Sequence, residues 1–239
     1  MLFATAAMHG ATVVPQSTVI PVRLDAALSS RKTKPGQVIT ARIMQDVPLP
    51  GDIKIPAGAK LSGQVTEVRP ATGRDGGSIS FRFDTLRLPH ENVRLIVHMR
   101  AIASTMEVRR AQLPVNSGPT GSESSWTTVQ IGGDVVYRGG GSVRSRSGVV
   151  GKPVENGVLG RLDSNPGRGC GDDGTGERAQ ALWLFSSDAC GTYDLPSVTV
   201  VRADVDAESA TTREITLRST KGDVNVRNGA GLLLRVEAP

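Results

Sequence analysis

Aromatic side chains are nearly missing from this chain. Phe, Trp and Tyr make up 3% of its 239 residues. Core filling therefore falls to Val, Ile, Leu and Ala, and too few rings remain to line a sugar-cleaving groove or to stack successive bases. Histidine is scarce too, with only His9, His90 and His98. None stands in a recognisable motif with a Ser or Cys nucleophile, and no G-x-S-x-G elbow occurs. We assign no catalytic residue, no cofactor and no metal ligand, and read the chain as not an enzyme.

Cysteine is limited to Cys170 and Cys190. Two thiols with no nearby histidine cannot complete a structural zinc site. Both sit beside glycine, in Gly169-Cys170-Gly171 and Ala189-Cys190-Gly191. We read them as a disulfide pinning an Asp/Gly-rich loop to the following strand, or as two free thiols in a reducing compartment. Long apolar runs are absent as well, since nothing approaches the ~20 residues of a membrane-spanning helix. The short run Leu2-Phe3-Ala4-Thr5-Ala6-Ala7-Met8 resembles the tail of a secretory signal whose basic n-region is missing. Residues 1–15 are accordingly read as the remnant of such a signal, and the protein as periplasmic or secreted; the other reading is an ordinary N-terminal segment.

Turn formers are abundant, with 28 Gly and 14 Pro, which suits many short strands better than long helices. Ile20, Val22 and Leu24 alternate with Pro21, Arg23 and Asp25, and Pro21 predicts an edge strand or a strand start there. An exposed edge over Thr18–Asp25 would accept a partner strand. Val38–Met44 is a second strand. Pro56 pre-sets φ, and Gly58 can adopt the left-handed conformation, so Ile53–Val65 reads as a hairpin. Its second strand puts Leu61, Gly63 and Val65 on one face.

Ile79, Phe81 and Phe83 share a face, but Leu86 and Leu88 fall on the other phase, which predicts a β-bulge at Thr85-Leu86. Val93, Leu95, Val97 and Met99 continue the alternation. Later strands are read at Thr127–Tyr137, Ala181–Phe185, Val198–Val201 and Ile215–Leu217. A closing hairpin is read around Asn228-Gly229, where both residues tolerate positive φ. No internal repeat is visible. The expected fold is all-β, a distorted β-barrel or β-sandwich. Residues 16–239 form a single domain interrupted by an irregular Gly/Ser-rich excursion over roughly 106–180.

The formal charge is +5 and the isoelectric point is near 9.6. The basic residues look scattered, as solubility alone would require. The candidate anion contacts are Arg31, Lys32 and Lys34 in one turn and Arg138, Arg144 and Arg146 in a Gly/Ser-rich stretch. Asp172–Glu177 lacks the ligand spacing of a calcium loop. Gly167–Gly171 lacks the Gly-Lys-Ser/Thr ending of a phosphate loop.

One resemblance covers the two ends of the chain. It runs through Leu24–Ser30, Pro35-Gly36-Gln37-Val38, Asp46-Val47, Ile55–Gly63 and Ser80–Leu86, and then through Val224–Val236. These segments resemble the C-terminal domain of VirB10/TrbI-type proteins of conjugative type IV secretion systems. The resemblance implies a β-barrel-like periplasmic domain that works by protein–protein assembly without catalysis. Its partners would be other envelope proteins or further copies of itself. The expected function is a non-enzymatic cell-envelope structural or protein-interaction module. The alternative is a basic surface that binds an anionic polymer, either cell-wall polysaccharide or nucleic acid.

Overall fold

The computed structural model describes residues 12–51, 53–112, 125–131, 135–139, 143–145, 148–154, 157–159, 161–162, 179–180, 184–186, 189–201 and 214–237. The first half is built of short strands: β1 (Val19–Leu24), β2 (Leu28–Ser29), β3 (Val38–Ile43), β4 (Val47–Pro48) and β5 (Lys54–Ile55). Then come β6 (Lys60–Arg69), β7 (Ser78–Arg87), β8 (Asn92–Arg94) and β9 (Val97–Ala103), followed by one helix, α1 (Thr105–Gln112). The stretch read as an irregular excursion contains a five-stranded antiparallel sheet of β10 (Ser125–Val129), β11 (Val135–Gly139), β12 (Val143–Ser145), β13 (Gly148–Val154) and β14 (Gly157–Leu159). A two-stranded ladder joins β15 (Arg161–Leu162) to β16 (Ala179–Gln180). The chain ends with β17 (Gly191–Tyr193), β18 (Val198–Val201), β19 (Ile215–Ser219), β20 (Asn225–Val226) and β21 (Gly231–Val236).

The main sheet has ten strands in the order β17-β9-β21-β1-β3-β6-β7-β19-β18, with β8 pairing β7 off this path. Only β17 and β9 run parallel; the other pairs in this sheet are antiparallel. The two ends of this order, β17 and β18, are separated in sequence by residues 194–197 alone. Those residues can bridge at most about 17 Å of extended chain. Nine flat strands would hold the edges roughly 38 Å apart. The sheet therefore rolls until its edges are neighbours, and β18 lies against both β17 and β9. No ladder among the described residues closes the roll into a barrel. All-β architecture follows from the strand spacing in the sequence; closure does not.

The inside of the roll holds the larger core, including Ile20, Leu24, Leu61, Phe81, Leu86 and Leu234. A second core lies on the outer side of β1, β21 and β9, where Val108 and Ala111 of α1 meet Leu233, Phe185 and Ile131. Buried on both faces, β21 reads as the unbroken run Leu232-Leu233-Leu234 instead of alternating. The helix was not read from sequence, although Ser104-Thr105-Met106-Glu107 has the Ser-x-x-Glu spacing of a capping box. Ser104 Oγ accepts from the amides of Met106 (3.2 Å) and Glu107 (3.1 Å), as an N-cap does.

The reading of β1 as an edge strand is overturned. It lies between β21 and β3 and is paired on both sides. Pro21 is tolerated because it falls on the last rung toward β3. There its carbonyl accepts from the Met44 amide (2.9 Å), and no return bond is needed. A partner strand has no free edge to join at Thr18–Asp25.

Both turns read from sequence are present, but neither makes a hairpin. β5 pairs with β4 and β6 pairs with β3, so Pro56–Ala59 carries the chain from one ladder into another. Likewise β20 pairs with β2 and β21 pairs with β1, across the turn Arg227–Ala230. The two arrangements are equivalent bond for bond. Gly58 and Gly229 take φ of 82° and 85°, the left-handed region glycine favours. Their amides donate to Ile43 O (2.8 Å) and Leu24 O (3.0 Å), the last residues of β3 and β1. The amides of Ile43 and Leu24 donate back to Ala59 O and Ala230 O, each at 2.9 Å.

The registers match too. Val47↔Ile55 corresponds to Leu28↔Val226, and Arg42↔Lys60 to Arg23↔Gly231. The fold thus contains an internal duplication, and its two copies form the contiguous block β21-β1-β3-β6. Identical residues survive at Val19/Val38, Ile20/Ile39 and Arg23/Arg42 in the first strands and at Gly58-Ala59/Gly229-Ala230, Leu61/Leu232 and Val65/Val236 in the second. The duplication escaped the sequence because the two pieces of each copy recur at different spacings along the chain, so no single period links them.

In one copy the turn is fixed by Asp46, which accepts from Lys54 Nζ (2.6 Å) and the Ala57 amide (2.8 Å). Burial disfavours its charged form. The Lys54 hydrogen bond, the Ala57 amide and the Lys54 charge outweigh that and lower its pKa below the ordinary 3.8. A depressed folded-state pKa contributes stability above the unfolded value and loses it as pH falls through the folded value. Asp46→Asn is therefore expected to lower stability at pH 7 by about 1–2 kcal/mol. It should also flatten the decline in stability below about pH 4, read from denaturant midpoints across pH.

Candidate functional site

Register assembles what the sequence scatters. Across β1, β3, β6 and β7 the Cα partners are Arg23↔Arg42, Arg42↔Lys60 and Lys60↔Arg87. Directly opposed residues share a face, and this face is the outer one, because Leu24, Ile43, Leu61 and Leu86, one position along each strand, are in the inner core. Arg23, Arg42 and Arg87 are exposed and Lys60 is half-buried. At a strand spacing near 4.8 Å the four cations form a row about 14 Å long, perpendicular to the strands. The exposed Arg94 stands one row over, opposite Thr85.

Among the described residues one carboxylate enters the row. Asp25 Oδ1 accepts from Arg42 Nε at 3.2 Å, and its Oδ2 accepts from Thr40 Oγ1 at 3.1 Å. Among the described residues no carboxylate pairs with Arg23, Lys60, Arg87 or Arg94. The rest of the face is the hydroxyls and amide of Thr40, Ser62, Gln64 and Thr85, the exposed Val38, and an Arg82–Asp84 pair 3.6 Å apart, whose Asp84 Oδ1 accepts from Thr85 Oγ1 at 2.6 Å. The two phenylalanines of β7, Phe81 and Phe83, point into the core, where they meet edge to face at 5.7 Å.

The anion contacts expected from sequence fall elsewhere. Arg31 Nη2 lies 2.9 Å from Asp223 Oδ2, so its charge is already matched. Asp223 also accepts from the Ala71 amide and from Ser30 Oγ, both at 2.9 Å. The Ala71 amide first, then the Ser30 hydroxyl and the Arg31 charge, lower its pKa. Lys32 and Lys34 are exposed in the loop before β3, at the far end of that strand from Arg42. Arg138 and Arg144 belong to β11 and β12, where they stand opposite Trp126 and Tyr137 in the backbone register. Arg146, Cys170, His9, Gly167–Gly171 and Asp172–Glu177 lie outside the described residues. Cys190 is described, and its amide donates to the Tyr193 hydroxyl at 3.0 Å.

Of the histidines, His90 is exposed in a turn. His98 Nδ1 stands 2.7 Å from Glu237 Oε1 at the far end of β9 from α1. Among the described residues no three His, Cys, Asp or Glu side chains converge as a metal site would require. Nor is any helix there long and apolar enough to cross a membrane. Comparison with protein-family models and with curated proteins finds no match to this chain.

Proposed function

We propose that this chain is a non-enzymatic interaction module of the cell envelope, barrel-like in shape and similar in role to the VirB10/TrbI C-terminal domain. One observation carries the reading. The two segments that resemble that family, Ile55–Gly63 and Val224–Val236, occupy equivalent positions in the duplicated block. They share one hydrogen-bonding scheme and lie in the same stretch of sheet. A likeness confined to turn composition would give no reason for two distant segments to play the same structural part.

On this reading the protein is periplasmic or secreted, Cys170 and Cys190 form a disulfide, and the module assembles with other envelope proteins or with its own copies. The test is fractionation of cells carrying the full chain with a photo-crosslinking residue at Val38, an apolar side chain 68% exposed. Recovery from the periplasm, a Cys170–Cys190 linked peptide under non-reducing digestion, and a crosslinked adduct of higher mass are expected. Cytosolic recovery with two alkylatable thiols would contradict the proposal.

A further inference from the structure

We infer that the outer face of β1, β3, β6 and β7 binds a linear polyanion that carries phosphate or carboxylate groups and needs no aromatic rings for recognition. Like charges placed directly opposite one another across strands cost stability. Three successive like-charged pairs, with one carboxylate among them in the described residues, are therefore a local conflict that folding alone does not explain. An anionic ligand removes it.

The duplication sharpens the point, because its two copies treat their outer faces differently. On the β1–β21 copy the outer positions Val19 and Leu233 are buried in one cluster with Val108 and Ala111 of α1 and with Phe185, and Arg23 lies at the exposed end of the same face. A Cβ on Gly231 would lie 2.8 Å from Val108 Cγ2 of that helix. On the β3–β6 copy the outer positions include Val38, Thr40, Lys60 and Ser62. At the equivalent turn glycines, a Cβ on Gly229 would lie 3.1 Å from Thr105 Cγ2 of the helix, whereas one on Gly58 would have nothing within 4 Å. The first face is largely buried by the chain itself and opens only at its end, where Arg23 is exposed; the second is open and carries Arg42 and Lys60 beside that arginine.

Shape selects the class of ligand. The row runs perpendicular to the strands, around the outside of a rolled sheet, so it follows a convex curve. A flat membrane surface would touch such a curve at one or two cations, whereas a flexible linear polymer can lie along all four. With Phe81 and Phe83 turned inward, this stretch of sheet offers no stacking platform, so contact runs through charge and the hydroxyl and amide donors beside it. Binding should then be strongly salt-dependent and indifferent to base or sugar identity.

The test uses the full chain with long-chain sodium polyphosphate and sodium polyglutamate as probes. Oligo-dT and phosphatidylglycerol vesicles serve as competing classes. Four cations at roughly 0.7 released counterions each predict a log–log salt slope near −3. That is a loss of affinity of about 50-fold between roughly 50 and 200 mM salt. R23Q/R87Q should reduce the slope by about 1.4 and leave the melting temperature unchanged or higher. K32Q/K34Q, which removes the same charge from the loop at the other end of β3, should leave the slope in place.

Binding of polyphosphate alone, or of polyglutamate alone, supports the inference and fixes the ligand as phosphate or carboxylate. It is overturned by binding to oligo-dT or vesicles without binding to either polymer. Equal losses in the two charge-matched variants overturn it too, as does a loss in R23Q/R87Q accompanied by lower stability.

Discussion

Gly63→Ala is expected to destabilise the protein by about 3 kcal/mol, the upper end of the usual cost of overpacking. The position lies in β6 where the ladder to β7 slips: Ser62 pairs Thr85 and Gly63 pairs Phe83, which leaves Asp84 as the extra, bulged residue. A bulge bends its strand and increases the local twist. Here that brings the backbone of β7 across the space a side chain on residue 63 would occupy. A Cβ at residue 63 would stand 1.8 Å from Arg82 O and 2.7 Å from Phe83 Cα. Those atoms belong to a strand held on both sides, so no flexible side chain can give way. Denaturant unfolding of the purified variant checks the expectation, and a midpoint equal to wild type would show that β7 does not cross there. The bulge also has a job in the fold, because the Asp84 carbonyl, freed from β6, accepts from the Leu95 amide at 3.0 Å and ties the approach to β9.

Phe81→Ala should cost more, about 3–5 kcal/mol, as large-to-small substitution of a buried aromatic does. Phe81 is fully buried. It stands opposite Val65 in one ladder and Ile215 in the other, at the point where the first half of the chain meets the second. It also makes the edge-to-face contact with Phe83. Phe83 is held in its own place on β7, and the aliphatic side chains around residue 81 are too small to fill the space of a ring. Expected readouts are a denaturant midpoint shifted by that amount and earlier hydrogen exchange in β7 and β19. Phe81→Leu should restore more than half of the loss.

Much of the local structure was legible in the residues. Alternation at Leu61, Gly63 and Val65 gave the inward face of β6, and the slip of phase near Thr85 gave the bulge to within one residue. A second irregularity, between Val65 and Glu67, left no comparable mark because Thr66 is polar on a strand that is already half exposed. Pro56/Gly58 and Asn228/Gly229 gave two turns but misled about pairing. Turn chemistry sets where a chain reverses, while the choice of neighbour is made by tertiary contacts, and here each strand leaves its turn for a different ladder. Pro21 suggested an edge for the same reason: the rung at which a missing amide does no harm depends on where β3 ends, which lies in another segment.

The basic row was illegible for a related cause. Arg23, Arg42, Lys60 and Arg87 come from four separate strands and resemble scattered surface charge until register aligns them. The Arg31–Lys34 run stood out because its residues are neighbours in sequence, yet Arg31 faces Asp223 from the far end of the chain.

The claim that this protein presents an anion-binding sheet face is tested most directly by backbone amide NMR of the full chain titrated with long-chain polyphosphate. Shift changes should concentrate at Arg23, Arg42, Lys60, Arg87 and Arg94 and vanish at high salt, with the Lys32–Gln37 loop unmoved. Changes centred on that loop, or spread without regard to β1, β3, β6 and β7, would contradict the account.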